Sequence, residues 1–73
     1  MFAVSESKPQ KSLSNGLRFY KAGRFADAEV IYRHVLSSQS DNFDACHLLG
    51  VLLRDRGRLS ESIGWLEKSV KYN

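Results

Sequence analysis

The chain has 73 residues, of which 42% are hydrophobic and 26% charged, as in one small globular domain. This apolar fraction excludes a disordered tail, and no apolar run approaches the roughly 18 residues of a membrane span. The net charge of +3 is a mild basic excess that a solvated surface explains. No secretory signal core precedes the polar residues that begin at Ser5, so we expect a cytoplasmic protein.

Residues 1–8 carry no hydrophobic periodicity, and we expect them to form a flexible leader. Beyond them, apolar residues recur at the i, i+3, i+4, i+7 spacing of amphipathic helices. The predicted helices lie near residues 9–22, 25–38, 43–56 and 59–72. Pro9 suits the first turn of the first helix, and either Asp41 or Asn42 can cap the third.

An internal repeat with a period of 34 residues runs through these helices. Gly23 and Gly57 each stand in a Gly-Arg turn between two helices, and Gly16 and Gly50 each lie inside a helix. The same offset links Leu17 to Val51, Phe19 to Leu53, Asp27 to Glu61 and Leu36 to Val70. A glycine inside a helix costs about 1 kcal/mol relative to alanine. Its repetition therefore predicts that a neighbouring helix crosses too closely for a side chain.

The repeat resembles the tetratricopeptide repeat family, with its 34-residue period and its pattern W-x2-L-G-x2-Y, A-x3-F and P. The second repeat shows this pattern at Cys46, Leu49, Gly50, Leu53, Ser62 and Leu66, and the first at Ser12, Asn15, Gly16, Phe19, Ala28 and Tyr32. No tryptophan opens either repeat, and Asn15 and Ser62 replace the family's leucine and alanine. The resemblance implies an all-α fold. Two helix-turn-helix hairpins, residues 9–42 and 43–73, would stack as a short right-handed α-solenoid. The run Tyr20–Ala28 is similar to repeats of bacterial proteins, some of which carry a transferase beyond the repeats.

No constellation for catalysis is visible. Cys46 and His47 are adjacent and point about 100° apart on a helix, so they cannot chelate a metal together. Cys46 occupies an apolar repeat slot and is expected to be a small buried residue. The carboxylates are scattered, and each glycine stands alone in a repeat slot, not in a phosphate loop. We expect no enzyme, no cofactor and no metal.

The resemblance implies that the first helix of each hairpin lines a concave groove. The residues placed there are Leu13, Leu17, Tyr20, Lys21, Asp44, His47, Val51, Arg54 and Asp55. An apolar centre with charges around it suits an extended or helical peptide of a protein partner. Alternatively, Leu13 and Leu17 are core residues. The carboxylate clamp of co-chaperone members is not expected, because leucines, Leu48 among them, occupy its slots.

The last helix carries more apolar surface than one neighbouring helix covers. Its apolar residues are Leu59, Ile63, Trp65, Leu66, Val70 and Tyr72. Repeat stacks need about three units and polar ends. We therefore expect this face to form a homo-oligomer, or the chain to be the N-terminal part of a longer repeat protein.

A basic rim runs along the two turns, with Lys21 and Arg24 at one and Arg54, Arg56 and Arg58 at the other. Lys21, Arg54 and Arg56 lie where cations stabilise helix C-termini, which explains these three without a ligand. The alternative function is a small helical nucleic-acid-binding protein that uses this rim on phosphates. The main prediction remains a scaffold that binds a protein partner.

Overall fold

The computed structural model describes residues 8–72, which form four α-helices. Helix α1 spans Lys8–Lys21, α2 spans Phe25–Ser38, α3 spans Phe43–Asp55 and α4 spans Leu59–Tyr72. Each begins and ends within one residue of its predicted bounds, and residues 8–72 contain no β-strand, so the all-α fold class is confirmed. Apart from Lys8, which opens α1, the predicted leader lies outside the described residues.

Each hairpin turns at a glycine in the left-handed conformation, with φ of 81° at Gly23 and 79° at Gly57. At the first turn the backbone N–H of Arg24 donates to the Phe19 carbonyl at 2.8 Å, and that of Gly23 to the Tyr20 carbonyl at 3.0 Å. The second turn repeats both bonds 34 residues later, at 2.9 and 3.0 Å. These bonds satisfy carbonyls that a helix end leaves without partners, so the chain can reverse directly into the next helix.

A side-chain cap starts α3. The Oδ1 of Asn42 accepts a hydrogen bond from the Ala45 N–H at 2.9 Å, and the Asn42 amide donates to Gln39 at 2.9 Å. Of the two predicted candidates, Asn42 is therefore the cap, and it satisfies one of the free amides of the first turn.

The core lies between α2 and α3 and is closed by their hairpin partners. Its buried members are Ala28, Tyr32, Val35, Leu36, Ala45, Cys46, Leu49, Leu52 and Leu53. Half-buried side chains from α1 and α4, including Leu13 and Trp65, pack against this cluster. Cys46 is 0% exposed, which confirms its prediction as a small buried residue.

Close helix packing explains the two intrahelical glycines. A Cβ built on Gly50 would lie 2.6 Å from Leu66 Cδ2 and 3.3 Å from the Leu66 backbone nitrogen. A Cβ on Gly16 would lie 2.6 Å from the ring of Tyr32. The predicted close crossing thus occurs in both hairpins, α1 against α2 and α3 against α4.

We predict opposite effects for two glycine-to-alanine substitutions. Gly50→Ala should lower the free energy of unfolding by about 1–3 kcal/mol, because the methyl group overpacks the α3–α4 contact. Gly64→Ala should raise it by about 0.5–1 kcal/mol through helix propensity, because no atom of the described residues lies within 4 Å of the added Cβ. Urea unfolding of both variants measures the difference. A stabilising Gly50→Ala would contradict the close-packing explanation.

Candidate functional site

Helices α1 and α3 lie side by side and leave a shallow groove of about 250 Å³. We call it the α1–α3 groove. It is lined by Leu13, Ser14, Leu17, Asp44, His47 and Leu48. Four of these belong to the predicted set, while Ser14 and Leu48 do not. Leu13 is half-buried against the core and also lines the groove.

A hydrogen bond closes one end of this face. The hydroxyl of Tyr20, on α1, donates to the carboxylate of Asp55 at the end of α3. This bond, burial and the charge of Asp55 together raise the pKa of Tyr20. Both residues were predicted to lie on this face, and the bond joins the two helix ends. Lys21 and Arg54 are exposed and Val51 is half-buried, and none of the three lines the groove.

An aromatic contact orients the polar side of the groove. The ring of His47 stacks on that of Phe43, with centroids 6.1 Å apart and planes inclined by 21°. His47 and Phe43 are four residues apart on α3, the spacing at which helical side chains meet. His47 is therefore presented as a flat, supported ring beside Asp44.

The hydroxyl of Tyr32 is buried and has no hydrogen-bond partner among the residues that the structure describes. Burial, and secondarily the proximity of Tyr20, raises the pKa of Tyr32 to about 12. The side chain therefore stays neutral near pH 7, and its role is to fill the space beside Gly16.

A cluster of charged side chains joins the two hairpins. The Glu29 carboxylate, 13% exposed, lies 2.8 Å from Arg33 Nε, 3.0 Å from Arg58 Nη1 and 3.3 Å from Arg56 Nη1. Burial alone would raise the pKa of Glu29, but Arg33 and Arg58 outweigh it and lower that pKa. Since Glu29 is on α2 while Arg56 and Arg58 belong to the α3–α4 turn, these ion pairs fix one hairpin against the other.

The basic rim is largely paired with carboxylates. Besides Arg56 and Arg58 on Glu29, Arg24 lies 2.8 Å from Asp27 and Arg54 lies 3.7 Å from Asp55. Arg58 also contacts Glu61 at 2.7 Å. Phosphates would have to displace these partners, so the geometry favours a structural role for the rim over nucleic-acid binding.

The last helix presents an exposed apolar stripe. Leu59 is 58% exposed, Ile63 57% and Val70 76%. The other predicted members differ. Trp65 is half-buried against the core under the Lys68 ammonium, and Leu66 packs on Gly50. Tyr72 is 41% exposed at the end of α4. We call Leu59, Ile63 and Val70 the α4 stripe.

The described residues offer little reactive chemistry. Within residues 8–72, no three histidine, cysteine, aspartate or glutamate side chains are grouped to hold a metal ion. Burial raises the pKa of the Cys46 thiol, which keeps it protonated. No described helix combines the length and hydropathy needed to cross a membrane.

Residues 44–72, nearly all of α3 and α4, match the family model of the tetratricopeptide repeat. By this match, the second hairpin is a tetratricopeptide repeat. The match covers the hairpin whose Gly50 contact and Gly57 turn were described above, and the first hairpin shares both features. No curated protein and no solved structure was found to match the chain.

We predict that Glu29→Gln lowers the free energy of unfolding at pH 7 by about 1–3 kcal/mol, because three guanidinium groups lose a charged acceptor. The folded-state pKa of Glu29 lies below its usual value of 4.5. Its contribution is therefore present above about pH 4.5 and is lost as the pH falls through the folded-state pKa. Urea unfolding between pH 3 and 7 should show this loss in the parent chain and a smaller loss in Glu29→Gln.

The matched control is Glu67→Gln, the same change on an exposed side chain of α4. It should change the free energy of unfolding by no more than about 0.5 kcal/mol. Equal effects of the two substitutions would contradict the role given to Glu29.

Proposed function

We propose that this tetratricopeptide repeat protein is a non-enzymatic scaffold that binds a peptide or helix of a partner protein in the α1–α3 groove. Tetratricopeptide repeats are protein-interaction modules, and residues 44–72 form one. The observation that carries the proposal is the groove lining, in which three half-buried leucines lie beside the exposed side chains of Asp44 and His47.

The chemistry of the lining defines the ligand. Leu13, Leu17 and Leu48 keep part of their surface in water, so an apolar side chain of a partner would gain free energy by covering them. Asp44 and His47 add polar contacts at the margin. Leucine donates no hydrogen bond, so a free C-terminal carboxylate has no partner at the centre. A peptide with two or three apolar anchors fits this arrangement.

The test uses peptides selected from a random displayed library on the intact chain. Selected peptides should carry apolar anchors and shift the NMR methyl signals of Leu13, Leu17 and Leu48. Leu17→Glu should raise their Kd at least tenfold, or about 1.4 kcal/mol, because it puts a charge into the apolar centre. Val30→Glu is the matched control, since Val30 is 69% exposed on α2 and lies outside the groove. Peptides whose binding survives Leu17→Glu would contradict the proposal.

A second proposal is that two copies of the chain associate through the α4 stripe. Leu36 and Val70 occupy the same repeat position, yet Leu36 is 7% exposed beneath α3 and Val70 is 76% exposed. Ile63 is exposed in the same way. An apolar stripe with this exposure is typical of an interface. Burial against the same stripe of a second copy would remove it from water.

The absolute mass in solution tests this second proposal. We expect a dimer whose dissociation constant rises at least tenfold in Val70→Glu, because a carboxylate would face an apolar partner surface. Val30→Glu should leave the constant unchanged. Sedimentation over a wide concentration range gives these constants. A chain that stays monomeric at high concentration would contradict the association.

A further inference from the structure

A second groove, of about 390 Å³, lies on the other side of α1. It is lined by Asn15, Arg18, Phe19, Ala22, Arg24 and Ile31. Asn15 and Leu17 are two residues apart, so they point to nearly opposite sides of the helix. We call this the edge groove, because it lies along the outer edge of the first hairpin.

The chain contains a filled equivalent of the edge groove. Adding the 34-residue offset converts its lining into Leu49, Leu52, Leu53, Arg56, Arg58 and Trp65. In the second hairpin this surface is covered by α2, since Leu49 and Leu52 are fully buried in the core shared with α2. Arg56 and Arg58 hold the carboxylate of Glu29 from α2. A helix with an acidic residue is therefore what this surface binds when it is occupied.

One cation of the edge groove repeats a cation of the filled one, whereas Ala22 stands at the position of Arg56. Arg24 corresponds to Arg58, and its pair with Asp27 corresponds to the pair of Arg58 with Glu61. Arg58 holds Glu29 while it contacts Glu61, so the pair with Asp27 leaves Arg24 able to bind a second carboxylate. Arg24 also lies over the Phe19 ring, 4.9 Å from its centroid, which orients it.

We propose that the edge groove binds an acidic amphipathic helix of a partner protein, as the second hairpin binds α2. A carboxylate of that helix would lie between Arg18 and Arg24, with apolar neighbours on Phe19, Ala22 and Ile31. Arg18 stands where the filled groove has the buried Leu52, so the edge groove prefers a more acidic helix than α2.

The α4 stripe of a second copy fits this groove poorly. Ile63 occupies the repeat position of Glu29, so α4 has no carboxylate at the position from which α2 reaches the arginines. Contact with Asn15 and Arg18 would desolvate polar groups against an apolar stripe, which costs free energy. The polarity of the two surfaces therefore favours a different protein as the occupant.

The test is an NMR titration of the isotope-labelled full chain with an unlabelled peptide of the sequence of residues 25–38, which carries the Asp27 and Glu29 carboxylates. Shifts should concentrate at Asn15, Arg18 and Ile31. Arg24→Glu in the chain should raise the Kd at least tenfold, and a peptide with Glu29→Lys should restore binding to that variant. Lys21→Glu, the same change at a neighbouring exposed position, is the matched control and should leave the Kd unchanged.

Several outcomes would overturn the proposal. One is a Kd that Arg24→Glu does not change, and another is no binding up to 1 mM peptide. Shifts confined to Arg56 and Arg58 would mean that the peptide replaces α2. If the peptide binds only after residues 1–7 are removed, that segment is the occupant of the edge groove. If the chain self-associates and Arg18→Glu abolishes the association, the occupant is a second copy of the chain. Leu17→Glu should leave this binding intact, which separates it from the α1–α3 groove.

Discussion

The rest of the structure depends on how closely the two helices of each hairpin cross. At Gly50 a side chain would meet both the Leu66 side chain and its backbone, so only glycine permits the observed approach. The same approach brings the Gly50 carbonyl within reach of α4, where the buried Ser62 hydroxyl donates to it at 2.8 Å. The departure of Ser62 from the family's alanine thus has a physical reason, because the hydroxyl adds a bond that alanine cannot make.

The two hairpins are joined in a different way from the helices within them. The apolar core stabilises the contact between α2 and α3. The ion pairs of Glu29 with Arg56 and Arg58 set the position of one hairpin relative to the other. A carboxylate that is 13% exposed would be costly alone, but three guanidinium groups compensate for its lost hydration. The arginines that suggested a phosphate-binding rim therefore serve the joint between the hairpins.

Local rules account for what the sequence predicted well. Helix bounds follow from apolar spacing and from turn glycines, and both depend on residues near in the chain. The Glu29 cluster was missed because Glu29 lies 27 and 29 residues from Arg56 and Arg58 in the sequence. The repeat pairs residues that are 34 apart, so it does not connect Glu29 with these arginines. The apolar pattern of α4 also could not show that α3 covers Leu66 more than Val70. Which of these two residues is covered depends on where the helices cross, and Gly50 sets that crossing point.

Residues that occupy the same position in the two repeats differ in burial and polarity, and these differences distinguish the two edges of the stack. Leu49 is fully buried, and its counterpart Asn15 is exposed and polar. Leu36 is buried, whereas its counterpart Val70 is exposed but has stayed apolar. The two edges of the stack therefore differ in chemistry, one polar and cationic and the other apolar. Because an open head-to-tail array needs edges that match, these two edges favour different partners.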